Sequence, residues 1–232
     1  MRQLLPTPVD PVDPMAVYGD LPVATGRPAL RLNMIASVDG ATTVGGVSGG
    51  LGGRADQALF LVLRSLADGV LVAAGTVRAE GYRPSRTPIA VVSRSLRLDW
   101  DAPFFTAPIA RPTLITVARA PADQLARAAE VADVVVAGDQ DVDLAAALAA
   151  LGERGWRAVL AEGGPTLNGQ LARAGLLDEL CLTLSPRLAG GRAKRILDGP
   201  ALPEVAGLRL CSVCEQDDFL FLRYRPADPA AS

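Results

Sequence analysis

Short apolar segments alternate with segments of helical periodicity along most of the chain. Apolar runs of about four to eight residues between turn signals are typical of strands that helices cover on both faces. This pattern predicts strands over Leu30–Ser37, Gly69–Ala74, Pro88–Ser93, Thr113–Val117, Asp133–Ala137 and Ala158–Glu162. Helices are predicted between them, over Asp56–Ala67, Pro121–Ala129, Val142–Arg154 and Leu167–Ala174.

The pattern changes after Gly175. The apolar segments Glu179–Ser185, Leu208–Val213 and Phe219–Tyr224 follow one another with no helical period between them. Strands that are joined without a crossover helix pair in an antiparallel manner. The sequence therefore predicts an α/β fold whose central sheet is mainly parallel, is flanked by helices and has an antiparallel C-terminal edge.

The two ends of the chain differ from the segment between them. Residues 1–28 contain six prolines, so we expect an extended arm. They include no apolar core of the kind found in a signal peptide, so a signal peptide is not expected there. Residues 226–232 are predicted to be a disordered tail. No repeat or break in composition divides residues 29–225, which we expect to form a single domain.

The composition of the chain limits the classes of partner that it is expected to bind. Half of the 232 residues are apolar, which is enough for a large core, and the formal net charge is −2. A mildly acidic chain lacks the basic field that holds nucleic acid or an anionic membrane, and no apolar run is long enough to cross a bilayer. We therefore expect a cytoplasmic protein that binds a small molecule.

Metal and histidine chemistry are not expected. The sequence has no histidine, which excludes histidine triads and histidine-ligated zinc. Cys211 and Cys214 form a Cys-x-x-Cys pair, but no second pair accompanies it, so redox or zinc chemistry is less favoured than structural thiols. No metal site is predicted.

Two glycine-rich segments follow predicted strands. Residues 42–53 contain six glycines in twelve positions and predict a mobile loop, which could act as a lid over a site or as a surface linker. Residues 161–167 read Ala-Glu-Gly-Gly-Pro-Thr-Leu and join a strand to a helix. Paired glycines there can bring backbone N–H groups to a phosphate, although they also occur in ordinary tight turns.

Five motifs occur in order between Ala29 and Tyr224. They are Ala36–Gly40 (Ala-Ser-Val-Asp-Gly), Gly46–Ser48, Gly75–Val77, Val91–Ser93 and Glu162–Leu167. Together they resemble the pyrimidine reductases of riboflavin biosynthesis, the reductase domain of the bifunctional deaminase-reductases. The resemblance implies a dihydrofolate-reductase-like fold, a homodimer, and an NADPH-dependent oxidoreductase. Such an enzyme reduces the ribosyl group of a 5-amino-6-ribosylaminopyrimidine 5′-phosphate to ribityl by hydride transfer.

The resemblance also implies site residues. Contacts to NADPH carry over onto Gly75, Thr76, Val77, Glu80, Ser93, Gly163, Gly164, Pro165, Thr166 and Leu167. Arg78 and Arg94 lie beside these positions, and an arginine fork suits a 2′-phosphate. Substrate contacts carry over onto Asn33, Ser48 and Glu162, and the candidates for binding the substrate phosphate are Arg54, Arg83 and Arg86.

Two departures leave the substrate open. Asn33 stands where the bifunctional bacterial enzymes have lysine, and no deaminase domain is present, so the pyrimidine could be deaminated or not. Asp56 resembles the single acid of dihydrofolate reductases, which suggests a dihydropteridine substrate, or it is an ordinary helix-start charge. The catalytic candidates are Asp56 and Glu162. A non-catalytic NADPH-binding protein is the third possibility.

Overall fold

Residues 1–227, which a computed structural model describes, form one ten-stranded sheet covered by helices. The strands are β1 (Arg2–Leu5), β2 (Ala29–Ser37), β3 (Gly69–Ala73), β4 (Ile89–Val92), β5 (Thr113–Thr116), β6 (Asp133–Val136), β7 (Ala158–Ala161), β8 (Glu179–Ser185), β9 (Leu208–Gln216) and β10 (Phe219–Pro226). The helices are α1 (Pro14–Tyr18), α2 (Arg54–Ser65), α3 (Ala74–Glu80), α4 (Pro103–Thr106), α5 (Ala122–Val131), α6 (Leu144–Glu153) and α7 (Pro165–Arg173).

The sheet has a parallel part and an antiparallel part. Its strand order is β1-β9-β10-β8-β2-β7-β3-β4-β5-β6. Every pair from β8 to β6 along this order is parallel, whereas β8, β10, β9 and β1 pair in an antiparallel manner. The predicted fold class, mainly parallel with an antiparallel C-terminal edge, is confirmed.

Alternation along the buried strands builds a core on each face. In β3, Val70 and Val72 belong to one apolar cluster, and Leu71 between them belongs to the other. The first cluster receives side chains from α1 to α5, and the second receives them from α6 and α7. This arrangement explains why the parallel strands are continuous apolar runs.

The prolines of the N-terminal arm predict an extended chain. In the structure the arm instead contains a strand and a short helix. Asp13 caps α1 by accepting a hydrogen bond from the Met15 backbone N–H, and Tyr18 at the end of α1 is buried in the core. Residues Arg2–Leu5 pair with β9 as the outermost strand. The arm thus packs onto the domain because it brings its own apolar side chains and completes the edge of the sheet.

The C-terminal tail also begins later than the sequence predicts. Pro226 is the last residue of β10 and pairs with Leu208, so the strand continues one residue into the segment expected to be a tail. Residues 228–232 lie outside the described part of the chain.

Among residues 1–227, no helix combines the length and apolar character needed to span a membrane.

A buried ion network joins the arm to the antiparallel strands. Glu179 is fully buried, and its carboxylate lies 2.6 Å from Arg31 Nε and 2.7 Å from Arg223 Nη2. These two arginines also donate to the backbone carbonyls of Tyr18 and Val17 in α1. The charges are therefore paired and hydrogen-bonded, which is the condition under which buried charges are tolerated.

Candidate active site

A cleft of about 1560 Å³ opens at the carboxyl ends of the parallel strands. It begins on β2 at Asn33, one residue beyond the last β2–β7 pair, and continues past the ends of β3, β4 and β7. This edge of an open α/β sheet is where ligands commonly bind, because loops and helix N-termini converge there.

Most of the predicted site residues meet in this cleft. Those that line it are Asn33, Ser48, Asp56, Gly75, Thr76, Arg78, Glu80, Ser93, Arg94, Glu162, Gly164, Pro165, Thr166 and Leu167. Val77 is an exception, because α3 turns its side chain into the core, where it is 8% exposed. Gly163 is a second exception, because it is buried and does not line the cleft. Of the three phosphate candidates, Arg83 lines the cleft, whereas Arg54 and Arg86 do not.

Glu162 follows β7 and is held by two neighbours. Its side chain is 4% exposed, and Arg64 donates to it through Nε and Nη2, each at 2.7 Å. The Tyr82 hydroxyl donates to Oε2 of the same carboxylate at 2.6 Å. Burial, followed by the charge of Glu162, raises the pKa of Tyr82 well above its ordinary value. The hydroxyl therefore keeps its proton and remains a donor.

Asp56 lies in different surroundings. It occupies the first turn of α2, lines the cleft and forms no ion pair among the described residues. Burial raises the pKa of Asp56, and a hydrogen bond with Thr183 offsets part of that effect. The cleft thus contains one carboxylate that an arginine neutralises and one carboxyl group that burial makes easier to protonate.

The Gly-Gly turn brings two loops close together. A Cβ on Gly164 would lie 2.8 Å from Thr76 Oγ1, so a larger residue there would force the Thr76 side chain or the start of α7 to shift. Gly163 has φ of +94°, in the region that favours glycine. Pro165 occupies the first turn of α7, whose free N–H groups face an open cleft rather than a capping side chain.

The glycine-rich segment lines the cleft and is anchored to it. Ser48 donates its backbone N–H to Glu80 Oε1 at 2.8 Å, which joins the segment to the end of α3. Ser185 Oγ donates to the Leu51 carbonyl at 2.7 Å, and Thr42 donates to the Lys194 carbonyl. The segment is thus part of the site, as the lid hypothesis requires, and is more than a surface linker.

Several cations line the cleft. Arg94 pairs with Asp141 at 2.5 Å, and both side chains are exposed. Arg78 donates to the Arg97 carbonyl at 2.8 Å. Arg192 and Lys194, from the segment between β8 and β9, also line the cleft but were not among the residues predicted from sequence. Such cations suit a ligand that carries phosphate groups.

The family model described as the RibD C-terminal domain matches residues 28–219. The chain belongs to the RibD C-terminal domain family. The resemblance first recognised in the five motifs is therefore confirmed, and with it the assignment to the riboflavin-pathway reductases.

Individual relatives of this RibD C-terminal domain agree. A 2,5-diamino-6-ribosylamino-4(3H)-pyrimidinone 5′-phosphate reductase of Methanothermobacter thermautotrophicus is 33% identical over 190 residues, which cover 78% of this chain and 88% of the relative. A reductase of the same description from Aquifex aeolicus is 30% identical, with coverage of 71% and 80%. The crystal structure of a pyrimidine reductase-like protein from Corynebacterium diphtheriae matches with a TM-score of 0.81 and 27% identity, over 93% of this chain and 98% of that one.

Sequence reasoning missed Arg64 and Tyr82 in this RibD C-terminal domain. A signal for Arg64 was present, because Asp56, Phe60 and Arg64 are spaced by four residues on α2, and all three line the cleft. Tyr82 gave no such signal. It follows the left-handed Gly81 that ends α3, and only the fold brings it to a strand end 80 residues away.

Proposed function

We propose that the chain reduces the ribosyl group of a ribosylaminopyrimidine 5′-phosphate to ribityl with NADPH. The observation that carries the proposal is one cleft containing two carboxyl groups in contrasting surroundings, next to a Gly-Gly turn at a helix N-terminus. The carboxyl groups suit a pyrimidine with N–H donors and a step that consumes a proton. The turn suits a phosphate-bearing cofactor.

The residues present fit NADPH. Gly164 and the first residues of α7 line the cleft together with Thr76, and no side chain caps the N-terminus of that helix. Gly75 and Thr76 in α3, Ser93 after β4, and the N-terminus of α7 would hold the cofactor. Bound there, NADPH would supply the hydride that is transferred to C1′ of the substrate. Arg78 would contact the 2′-phosphate.

The substrate that we favour is the non-deaminated pyrimidine. The relatives from Methanothermobacter thermautotrophicus and Aquifex aeolicus are both named for a 2,5-diamino-pyrimidinone. A 2-amino group beside a ring N–H offers two donors, whereas the deaminated ring replaces one of them with a carbonyl oxygen. Carboxylates accept hydrogen bonds and repel an added oxygen, so Glu162 favours the amino form.

The side chains of the cleft divide the remaining work. Asp56, with its raised pKa, holds the proton that accompanies the hydride. Glu162 accepts from an N–H edge of the pyrimidine and orients it. Ser48 offers its hydroxyl from the glycine-rich segment, which helps to exclude water. Arg83 and Arg192 are the cations available for the 5′-phosphate, whereas Lys194, which also lines the cleft, already pairs with Asp198.

One assay separates this function from its alternatives. NADPH oxidation is followed at equal concentrations of the diamino substrate, the deaminated substrate and dihydrofolate. We expect turnover with the diamino substrate and at least about tenfold lower kcat/KM with the deaminated one, the effect of one lost hydrogen bond. Turnover with dihydrofolate alone would support the alternative suggested by Asp56. NADPH binding without any turnover would indicate a non-catalytic protein.

The arginines of the cleft predict selectivity for NADPH over NADH. NADPH should bind at least about tenfold more tightly than NADH, because a guanidinium adds charge-assisted hydrogen bonds to the 2′-phosphate. Arg78→Ala should remove most of this preference, since Arg78 lines the cleft beside Gly75. Arg94→Ala should have a smaller effect because Arg94 already pairs with Asp141. Equal dissociation constants for the two cofactors in a fluorescence titration would contradict the prediction.

The homodimer expected from the family resemblance needs an exposed surface. The edge of the sheet beside β9 does not supply one, because β1 pairs with that strand. The outer face of the antiparallel strands remains partly exposed, and a row across it consists of Leu182, Leu222 and Val213. We propose that two chains associate through this apolar face.

A substitution in that row tests the dimer. Leu222→Arg should convert the dimer to a monomer at micromolar concentration, because a charge placed at the centre of an apolar interface is left unpaired. Leu61→Arg is the matched control, since Leu61 is exposed on α2, away from this face. Light scattering gives the mass of each variant. A monomeric wild type would refute the proposal.

A further inference from the structure

The carboxylate of Glu162 is held by two side chains, Arg64 and Tyr82, in addition to lining the cleft. Arg64 binds both carboxylate oxygens in a fork, and Tyr82 donates to one of them. Arg64 itself is stacked, with its guanidinium carbon 4.5 Å from the centre of the Phe60 ring and 5.8 Å from that of Tyr82. Each member thus restricts the position of another.

This cluster determines what Glu162 can do. An ionised carboxylate only accepts hydrogen bonds, and it has about four lone-pair positions. Arg64 and Tyr82 use three of these, while the residue still lines the cleft. Glu162 is therefore left with an acceptor position for a ligand, next to the guanidinium of Arg64.

Tyr82 also connects two parts of the site. It follows α3, whose first residues, Gly75 and Thr76, line the proposed cofactor end of the cleft. Glu80 at the other end of the same helix holds the backbone of Ser48. The last residue of this short helix therefore supports Ser48, and Tyr82, two residues beyond it, supports Glu162.

We propose that Tyr82 is a positioning residue that, with Arg64, fixes Glu162 as an anionic acceptor for an N–H edge of the substrate. The inference rests on the proposed function and deepens it. Glu162 then binds the pyrimidine and does not deliver the proton. Tyr82 acts through Glu162 and is not itself a catalytic residue.

The test is Tyr82→Phe, which removes the hydroxyl and keeps the ring that packs against Arg64. We expect KM for the diamino substrate to rise about tenfold, with kcat changed by less than about twofold, since a lost ground-state contact affects binding and not the chemical step. The dissociation constant for NADPH should stay unchanged, and the melting temperature should fall by only a few degrees because one hydrogen bond to a buried carboxylate is lost. Tyr224→Phe is the matched control, because Tyr224 lies on β10 outside the cleft lining.

A second variant makes the test independent of Tyr82. Arg64→Lys keeps the charge but cannot form the fork, and it should raise KM at least as much. Unchanged KM in both variants would overturn the inference, as would a fall in kcat at constant KM, which would assign proton transfer to Glu162. If Tyr82→Phe fails to fold, Arg64→Lys decides. A wild type that turns over no ribosylaminopyrimidine would overturn the proposed function and this inference together.

Discussion

Replacing Asp56 with asparagine is expected to lower kcat with the diamino substrate by about 10²–10⁴-fold, the usual contribution of a general acid or base. Asparagine retains the size of aspartate and the ability to hydrogen-bond with Thr183, but it carries no transferable proton. Because burial raises the pKa of Asp56, we also expect the wild-type kcat to fall as pH rises through that pKa and to level off at lower pH. The asparagine variant should lack this dependence.

The kinetic pattern distinguishes the roles of Asp56. A rise in KM with little change in kcat would indicate that Asp56 only binds or orients the pyrimidine, as the ribosyl reaction at C1′ would allow. Unchanged kcat and KM, with the fold and NADPH affinity intact, would indicate that Asp56 only provides a negative charge in the first turn of α2. Asp123→Asn is the matched control, since Asp123 is an exposed acid in the first turn of α5.

Replacing Glu179 with glutamine is expected to destabilise the protein by about 3–5 kcal/mol, the usual result of breaking a buried ion pair. Glutamine preserves the shape of the side chain, but Arg31 and Arg223, which are 3% and 6% exposed, would lose the charge that compensates them. Glu215→Gln is the matched control. Glu215 pairs with Arg2, whose side chain is 57% exposed, so its loss should have little effect on stability because solvent screens an exposed pair.

Urea unfolding measures both variants. We expect a lower midpoint for Glu179→Gln at an unchanged slope, because the surface exposed on unfolding stays the same. Equal midpoints for the two variants would contradict the view that the buried network holds α1 against the antiparallel strands. A decrease in slope would instead indicate that the arm is already detached in the folded variant.

The sequence predicted the parallel core well because its signals are local. Gly69–Ala74 and Thr113–Val117 each differ from the observed strand by one residue, since an apolar run marks a strand that is buried on both faces. Helix α3 was missed because it begins immediately after β3 and contains Gly75 and Thr76, both poor helix formers. Packing on the sheet outweighs that propensity.

The parts that sequence did not predict depend on distant partners. The N-terminal arm contains prolines that suggest an extended chain, and only the buried carboxylate of Glu179, far along the sequence, shows why Tyr18 packs inside. Val77 was assigned to the cofactor by its motif, but the helical turn at that position directs it into the core. In the same way, Glu162 was predicted from its motif, whereas its partners Arg64 and Tyr82 were not.

Transfer of deuterium tests the central claim most directly. The protein is incubated with the diamino ribosylaminopyrimidine 5′-phosphate and NADPH that carries deuterium at both C4 positions of the nicotinamide, and the product is analysed by mass spectrometry and NMR. Our account predicts a ribityl product with one deuterium at C1′. A product without deuterium at C1′, or with deuterium on the pyrimidine ring, would contradict it.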